Sequence, residues 1–184
     1  MPKRSTPRYL TLCALGITLN IIGSNLALFL HLPLYLDTLG TMLCAALLGP
    51  TAGLLVGGST ALLVGMTTDV FSIYYSPIQL LIGLIVGFIF KYRTPTKIWQ
   101  LFLAALLISL PGTLASTAIT YFLFNGITSS GSSMFVQILS GAGVHQALAI
   151  FLVQISTDYC DRLLTLYLIW LLYRKLQPRF SFKA

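Results

Sequence analysis

Charged residues are scarce in this sequence, and one kind is missing altogether. Only 8% of the 184 residues are charged, and there is no glutamate. A soluble globular domain usually carries about 25% charged residues. So few charges cannot cover a surface that faces water. Together with a hydrophobic fraction of 57%, they indicate an integral membrane protein.

Catalytic and metal-binding patterns are lacking as well. Four acidic residues and two histidines are too few for a clear metal site or catalytic cluster. A glycine-rich phosphate loop is also absent, so any use of ATP is expected to belong to a partner. Cys13, Cys44 and Cys160 lie inside apolar segments, with the spacing of neither a disulfide framework nor a metal site. They are expected to be small buried hydrophobic side chains.

What the sequence does contain is a series of long apolar runs. They predict six transmembrane helices in an all-α membrane protein that forms one transmembrane domain over residues 1–184. The first run is too long for the apolar part of a signal peptide, so it is expected to remain as a helix. The stretch from Asn125 to Gln154 is predicted to be an outer loop with a short helix that lies against the bundle. The apolar runs cover residues 9–30, 38–48, 51–66, 77–91, 98–124 and 155–174.

The basic residues predict the orientation of these helices. With six spans and both termini in the cytoplasm, every lysine and arginine except Arg162 falls in a cytoplasmic segment. The net charge of +7 is therefore attributed to topology and not to nucleic-acid binding. The basic residues are Lys3, Arg4, Arg8, Lys91, Arg93, Lys97, Arg162, Arg174, Lys175, Arg179 and Lys183.

The second and third apolar runs are too short for ordinary spanning helices. A spanning helix needs about 20 residues, whereas these runs have about 11 and about 16. Their outer ends are expected to lie below the membrane surface, inside a ring of longer helices. Irregular backbone at that depth is tolerated only when it is buried in protein or lines a water-filled cavity. The short runs therefore predict a ligand pocket that opens to the outer face.

Asp37 and Thr38 stand at the start of the second run. Thr38 is a candidate cap for the helix, and Asp37 lies near the positive end of the helix dipole. The pair serves either as a plain helix cap or as a helix end that also faces a ligand.

Glycine recurs at every fourth position in the third and fourth runs. Small residues at this spacing share one face of a helix and let two helix backbones approach closely in lipid. That face either packs within the bundle or docks on another membrane protein. The residues concerned are Gly49, Gly53, Gly57, Ala61 and Gly65, followed by Gly83 and Gly87.

Arg162 is the strongest candidate for ligand binding, because a charge inside the membrane is a functional signal. Asp158, four residues earlier, lies on the same helix face and is the expected partner, whereas Asp161 is expected to point elsewhere. Arg162 either forms a closed ion pair with Asp158 or also receives a ligand carboxylate. Other polar residues are expected at the outer end, each of which could instead serve another protein group: Asn25, Asp69, Tyr75, Gln79, Asn125, Gln137 and His145.

Two segments, "LDTLGTMLCAALLGPTAGLLVGG" and "TDYCDRLLTLYL", resemble the substrate-binding S component of an energy-coupling factor (ECF) vitamin transporter. The resemblance covers nearly the whole chain. It implies a multi-pass protein of the bacterial cell membrane that binds a vitamin from outside and is not itself an enzyme. It also implies partners, the membrane coupling protein EcfT and two cytoplasmic ATPases, which use ATP and magnesium while this chain needs no cofactor. Where such proteins often carry an A-x-x-x-A docking pair, this chain has Ala14 and Thr18.

The resemblance is closest to members that import pantothenate, and it implies that cargo for this subunit of an ABC-type importer. Pantothenate has one carboxylate that suits Arg162. Cobalamin, hydroxymethylpyrimidine and riboflavin are the alternatives. A more remote alternative is a small membrane phosphotransferase that uses Asp158 and Asp161 with a metal ion, but such enzymes need more acidic ligands than this chain supplies.

Overall fold

The computed structural model describes the backbone of residues 6–176 and the side chains of residues 7–173. Within that range the chain is helical and contains no β-strand. Four basic residues used for the orientation, Lys3, Arg4, Arg179 and Lys183, lie outside the described residues, as do the side chains of Arg174 and Lys175. The helices are α1 (Thr6–Phe29), α2 (Leu39–Leu48), α3 (Pro50–Thr67), α4 (Phe71–Tyr74), α5 (Ser76–Tyr92), α6 (Ile98–Phe124), α7 (Ser132–Gly141) and α8 (Gln146–Leu176).

Three of these helices are long and apolar enough to cross a membrane: Pro7–Phe29, Pro50–Thr67 and Ile98–Phe124. The apolar helices Leu39–Leu48 and Ser76–Tyr92 are shorter. Large apolar side chains on α1 and α6 point away from the protein, and the Leu107 side chain is 62% exposed. This arrangement suits a protein whose outer surface contacts lipid, because a lipid-facing helix needs no polar covering.

The short helix α2 lies at the centre of the bundle, as the sequence predicts. It contacts α1, α3, α5 and α8, and seven of its ten residues are buried. Met42 of α2 joins Ile82, Ile108 and Leu166 in the largest core cluster. A helix surrounded in this way can end below the membrane surface, because its terminal backbone groups meet protein and not lipid.

Glycines bring α3 and α5 into close backbone contact. A Cβ atom added to Gly53 would lie 2.8 Å from the Cα atom of Gly83, and one added to Gly57 would lie 2.9 Å from the carbonyl oxygen of Gln79. A Cβ atom on Gly87 would overlap the backbone of Pro50. These residues therefore pack within the bundle, where only a glycine fits.

Gly49 belongs to the same run of glycines but has a different role. A Cβ atom there would meet nothing within 4 Å, whereas its φ of 99° and ψ of 177° suit glycine almost alone. Its N–H donates to the carbonyl oxygen of Ala45 and closes α2, and Pro50 follows at the start of α3. Gly49 thus allows the break between two helices, and its assignment to a packing face was wrong.

The prediction for residues 125–154 was partly wrong. The short helix exists as α7, but α8 begins at Gln146 and not at residue 155. Gly143, with a φ of 92°, ends the turn before α8. Ala149, Ile150 and Val153 are buried against Val136 of α7, so their burial extends the final helix backward. Packing between α7 and α8 therefore stabilises a helix in a stretch where the polar and glycine residues had suggested a loop.

Candidate functional site

A cavity of about 100 Å³ lies where α1 and α3 end and α5 begins. The segment 30–38, the connection around α4 and the loop after α6 meet here, and α8 supplies Asp158 and Arg162. Apolar side chains such as Leu28, Val64 and Ile82 form part of the wall. The polar wall residues are Ser24, Tyr35, Asp37, Thr60, Asp69, Ser72, Tyr75, Gln79, Ser116, Thr128, Ser129, Ser130, Asp158 and Arg162.

Arg162 is paired with Asp161, and the expected pairing with Asp158 was wrong. Arg162 Nη1 donates to Asp161 Oδ2 at 2.5 Å and to Thr38 Oγ1 at 2.5 Å. Asp161 turns inward because its Oδ1 accepts the backbone N–H of Leu36 at 3.2 Å. The segment before α2 therefore orients the Asp161 carboxylate toward Arg162. Helical spacing alone had predicted that Asp161 points away from it.

Asp158 also lines the cavity but is bound from another side. Thr113 of α6 donates its hydroxyl to Asp158 Oδ2 at 2.7 Å. Asp158 and Arg162 are both buried and both line the cavity, but their hydrogen bonds go to different partners. The buried Asp158 carboxylate beside the cavity therefore accepts its hydrogen bond from a neutral donor, the Thr113 hydroxyl.

Asp37 approaches the cavity from the segment before α2. Gln79 Nε2 donates to Asp37 Oδ2 at 2.7 Å, while Asp37 Oδ1 is buried without a hydrogen-bond partner among the described residues. Burial raises the pKa of the Asp37 carboxyl to about 6, and the nearby positive charge of Arg162 opposes that shift. Thr38 stands at the N-cap position of α2, but its side chain makes no capping hydrogen bond, so the predicted cap was wrong.

A chain of hydrogen bonds connects Gln79 to buried polar residues of α1, α2 and α3. Thr41 donates its hydroxyl to Gln79 Oε1 at 3.3 Å, and Asn20 Nδ2 donates to Thr41 Oγ1 at 2.8 Å and to Thr60 Oγ1 at 3.0 Å. Asn20 Oδ1 accepts the N–H of Gly40 at 2.7 Å. Since buried amides need partners, this network fixes the floor of the cavity while satisfying its own polar groups.

The serine-rich loop after α6 forms a wall of the cavity. Ser129 donates its hydroxyl to Asp69 Oδ2 at 2.9 Å, which joins the loop to the connection after α3. Gly131 packs so closely on the carbonyl group of His31 that a Cβ atom there would overlap it. The loop is thus held against both neighbouring connections, and its serines face the cavity beside Thr128.

Four of the eight residues predicted to bind a ligand line this cavity: Asp69, Tyr75, Gln79 and Arg162. The Tyr75 hydroxyl also lies 2.5 Å from Thr120 Oγ1. Ser24, Tyr35, Thr60 and Ser116 line the cavity but were not predicted, and no local sequence signal distinguishes them from packing residues. Asp37 and Asp158 had such a signal, because each is a charge in an apolar chain.

The other four predicted residues are not among those that line the cavity. Asn25 Nδ2 donates to the carbonyl oxygen of Ile21 at 2.8 Å within α1. Asn125 ends α6 in the left-handed conformation, with a φ of 50°. Gln137 and His145 are exposed. Sequence spacing could not show which face of α7 each residue occupies or where α8 begins.

The predicted docking pair lies apart from the cavity. Ala14 and Thr18 are exposed on α1, and the Thr18 hydroxyl donates to the carbonyl oxygen of Ala14 at 3.0 Å. The pair is therefore accessible on the outer surface of the described bundle.

The cavity combines hydroxyl and amide groups with carboxylates, so it can bind a small polar molecule through several hydrogen bonds. Searches of curated proteins and of solved structures gave no match. The family model described as "ECF transporter, substrate-specific component" matches residues 8–176, which is nearly the whole chain. This chain therefore belongs to the family of substrate-specific components of ECF transporters.

Proposed function

We propose that the chain is the vitamin-binding subunit of an ECF importer and captures its cargo from outside a bacterial cell. The observation that carries this proposal is the polar cavity at one end of the bundle. The exposed residues Lys91, Arg93 and Lys97 lie at the opposite end of α5 and in the connection from α5 to α6. Because basic residues favour the cytoplasmic side, the cavity end is proposed to face outward.

The same orientation supports six spans with both termini in the cytoplasm. In this proposal α1, α2, α3, α5, α6 and α8 cross or enter the membrane, and α4 and α7 lie at the outer end. The single domain of residues 1–184 would then present its cavity outside and its basic connection between α5 and α6 inside.

Transport by this subunit requires partners that supply energy. The proposed partners are the membrane coupling protein EcfT and two cytoplasmic ATPases, which use ATP and magnesium, while this chain uses no cofactor. Ala14 and Thr18 on α1 are proposed as part of the docking surface, because their side is exposed in the isolated chain.

Pantothenate remains the cargo suggested by resemblance, with cobalamin, hydroxymethylpyrimidine and riboflavin as alternatives. The hydroxyl and amide groups of pantothenate suit Gln79 and the serines of the loop after α6. Its carboxylate would need Arg162, but Asp161 and Thr38 already accept hydrogen bonds from that side chain. The geometry therefore supports the vitamin-binding role more strongly than it supports this particular cargo.

Uptake measurements test the proposed function. Cells that produce this chain together with its coupling protein and ATPases should accumulate a radiolabelled vitamin. Cells with inactive ATPases should retain vitamin binding but lose accumulation. Full accumulation with the inactive ATPases, or a chain that neither assembles with the module nor binds any vitamin, would contradict the proposal.

Cysteine labelling tests the proposed orientation. In a background without the native cysteines, a membrane-impermeant reagent should label Thr68→Cys in intact cells, because Thr68 is exposed near the cavity. The matched variant Arg93→Cys should react only after permeabilisation. The reverse pattern would show that the cavity faces the cytoplasm.

A further inference from the structure

The acidic residues of this chain are gathered at a single place. The sequence holds only four acidic residues against eleven lysines and arginines. Asp37, Asp69 and Asp158 line the cavity, and Asp161 is hydrogen-bonded to Arg162 beside it. A protein with a net charge of +7 therefore places all four of its acidic side chains at or beside this cavity.

Arg162 does not balance these carboxylates. It is the basic residue in the cavity wall, and its Nη1 atom lies 2.5 Å from Asp161 Oδ2. Once these two charges offset each other, Asp37, Asp69 and Asp158 remain. The other basic side chains in the described part of the chain are exposed and do not line the cavity: Arg8, Lys91, Arg93 and Lys97.

Two of the remaining carboxylates, those of Asp37 and Asp158, have no positively charged hydrogen-bond donor among the described residues. Asp158 is buried and accepts a hydrogen bond from the neutral hydroxyl of Thr113. Asp37 Oδ1 is buried with no partner among the described residues. Buried carboxylates are costly unless a positive charge or strong donors accompany them. The described side chains of the cavity give Asp37 and Asp158 no positively charged hydrogen-bond donor. A bound cation would supply this positive charge.

Aromatic rings complete this environment. Tyr35, Phe71 and Tyr75 all line the cavity. The face of an aromatic ring attracts a cation within about 6 Å, and the attraction grows when the cation is removed from water. Carboxylates and aromatic rings around one space are thus complementary to a positive charge.

From these contacts we infer that the cargo of this cavity is a cation, an amine or a protonated or quaternary nitrogen base, bound by Asp37 and Asp158. This inference rests on the proposed function and defines its substrate class. A cargo with a carboxylate would be repelled by three aspartates and would share Arg162 with Asp161. A neutral cargo would leave Asp37 and Asp158 with Arg162, already paired with Asp161, as their positive neighbour.

The test compares vitamins of different charge on the full-length protein in nanodiscs. The probes are thiamine as a cation, pantothenate as an anion and riboflavin as a neutral molecule. Titration calorimetry should detect binding of thiamine, with pantothenate and riboflavin silent. Loss of one charge-assisted hydrogen bond should weaken thiamine binding by at least about tenfold in Asp158→Asn. High-affinity binding of pantothenate or riboflavin by the wild-type protein would overturn the inference.

A second pair of variants guards against misfolding. Asp37→Asn removes the other carboxylate from a different segment, and it too should weaken thiamine binding. Ser156→Ala changes an exposed residue of α8 and should bind thiamine as the wild type does. Unchanged thiamine affinity in both aspartate variants would contradict the proposed contacts.

Assembly with the coupling protein and ATPases is measured on the same preparations. A chain that assembles with them and imports riboflavin or pantothenate would overturn the cationic cargo but keep the proposed function. A chain that binds thiamine but neither assembles with them nor supports uptake would overturn the proposed function and keep the cationic site.

Discussion

Two regions of α3 and α5 differ in the side chains that they need. One is the contact between the two helices, and the other is the cavity at their ends. In the contact, Gly53 and Gly83 remove side chains so that two backbones touch. In the cavity, Gln79 and Thr60 of the same two helices carry polar groups that contact other segments. One region is specified by spacing along a helix, whereas the other depends on where distant segments meet.

The two regions therefore respond differently to substitution. The glycine contact tolerates no added atom, since its partner is backbone that cannot turn away. In the cavity, the effect of a substitution depends more on whether a charged group keeps its partner than on the volume of the side chain. Substitutions that remove a partner should thus be most damaging near Arg162, and substitutions that add volume should be most damaging between α3 and α5.

The largest expected effect comes from breaking the buried pair at the cavity. Arg162→Gln leaves Asp161 buried without its positive partner, and the free energy of unfolding should fall by about 3–5 kcal/mol. Asp161→Asn combined with Arg162→Gln should recover most of that loss, because both charges are then gone. Thermal denaturation in detergent measures both variants. A double variant as unstable as Arg162→Gln would show that the pair is not what stabilises this region.

The next effect should arise at the glycine contact. Gly53→Ala places a methyl group 2.8 Å from the Cα atom of Gly83, and this overpacking should cost about 1–3 kcal/mol. The matched control is Gly58→Ala on the same helix, where the nearest atom is Leu80 Cδ2 at 3.4 Å. Thermal stability and the yield of monodisperse protein should separate the two variants. Equal losses in both would mean that the close approach of α3 and α5 does not limit side-chain size.

A smaller effect is expected where the serine-rich loop meets the connection after α3. Ser129→Ala removes the donor to Asp69 Oδ2, a neutral hydroxyl at an exposed position. A loss of about 0.5–1.5 kcal/mol is expected for such a bond. Hydrogen exchange of the loop amides should accelerate while those of α3 and α5 stay protected. Faster exchange throughout the helices would show that the loop does not open independently of α3 and α5.

The smallest effects should come from polar residues that the structure leaves outside both regions. Gln137→Ala and His145→Ala change exposed side chains, so the stability of each variant should stay within about 0.5 kcal/mol of the wild type. Their vitamin affinity, measured by calorimetry, should also be unchanged. A tenfold loss of affinity in either variant would place that residue in the binding site after all.

Structural features with a local sequence signal could be predicted from the sequence. The limits of α6 followed from an apolar run, and the central position of α2 followed from its short length. The glycines of α3 and α5 were recognised because spacing by four places them on one face. Each of these inferences depends on residues that lie close together along the chain.

Features that depend on contacts between distant segments could not be predicted from the sequence. The pairing of Arg162 with Asp161 depends on Leu36 and Thr38, and Thr38 is 124 positions away from Arg162. The early start of α8 depends on Val136 of another helix. Ser24 and Thr60 became cavity residues because three connections converge beside them, which no short pattern encodes.

The most direct test of the cavity as the cargo site is mass spectrometry of the vitamin released from purified protein. If the cavity binds the cargo, the wild type and Ser156→Phe should each release an equimolar amount of one vitamin, because Ser156 is exposed on α8. Ser72→Phe, which would place a ring in the cavity wall, should release none while keeping the wild-type elution volume on gel filtration. The same amount of vitamin from all three proteins would show that the cavity is not the cargo site.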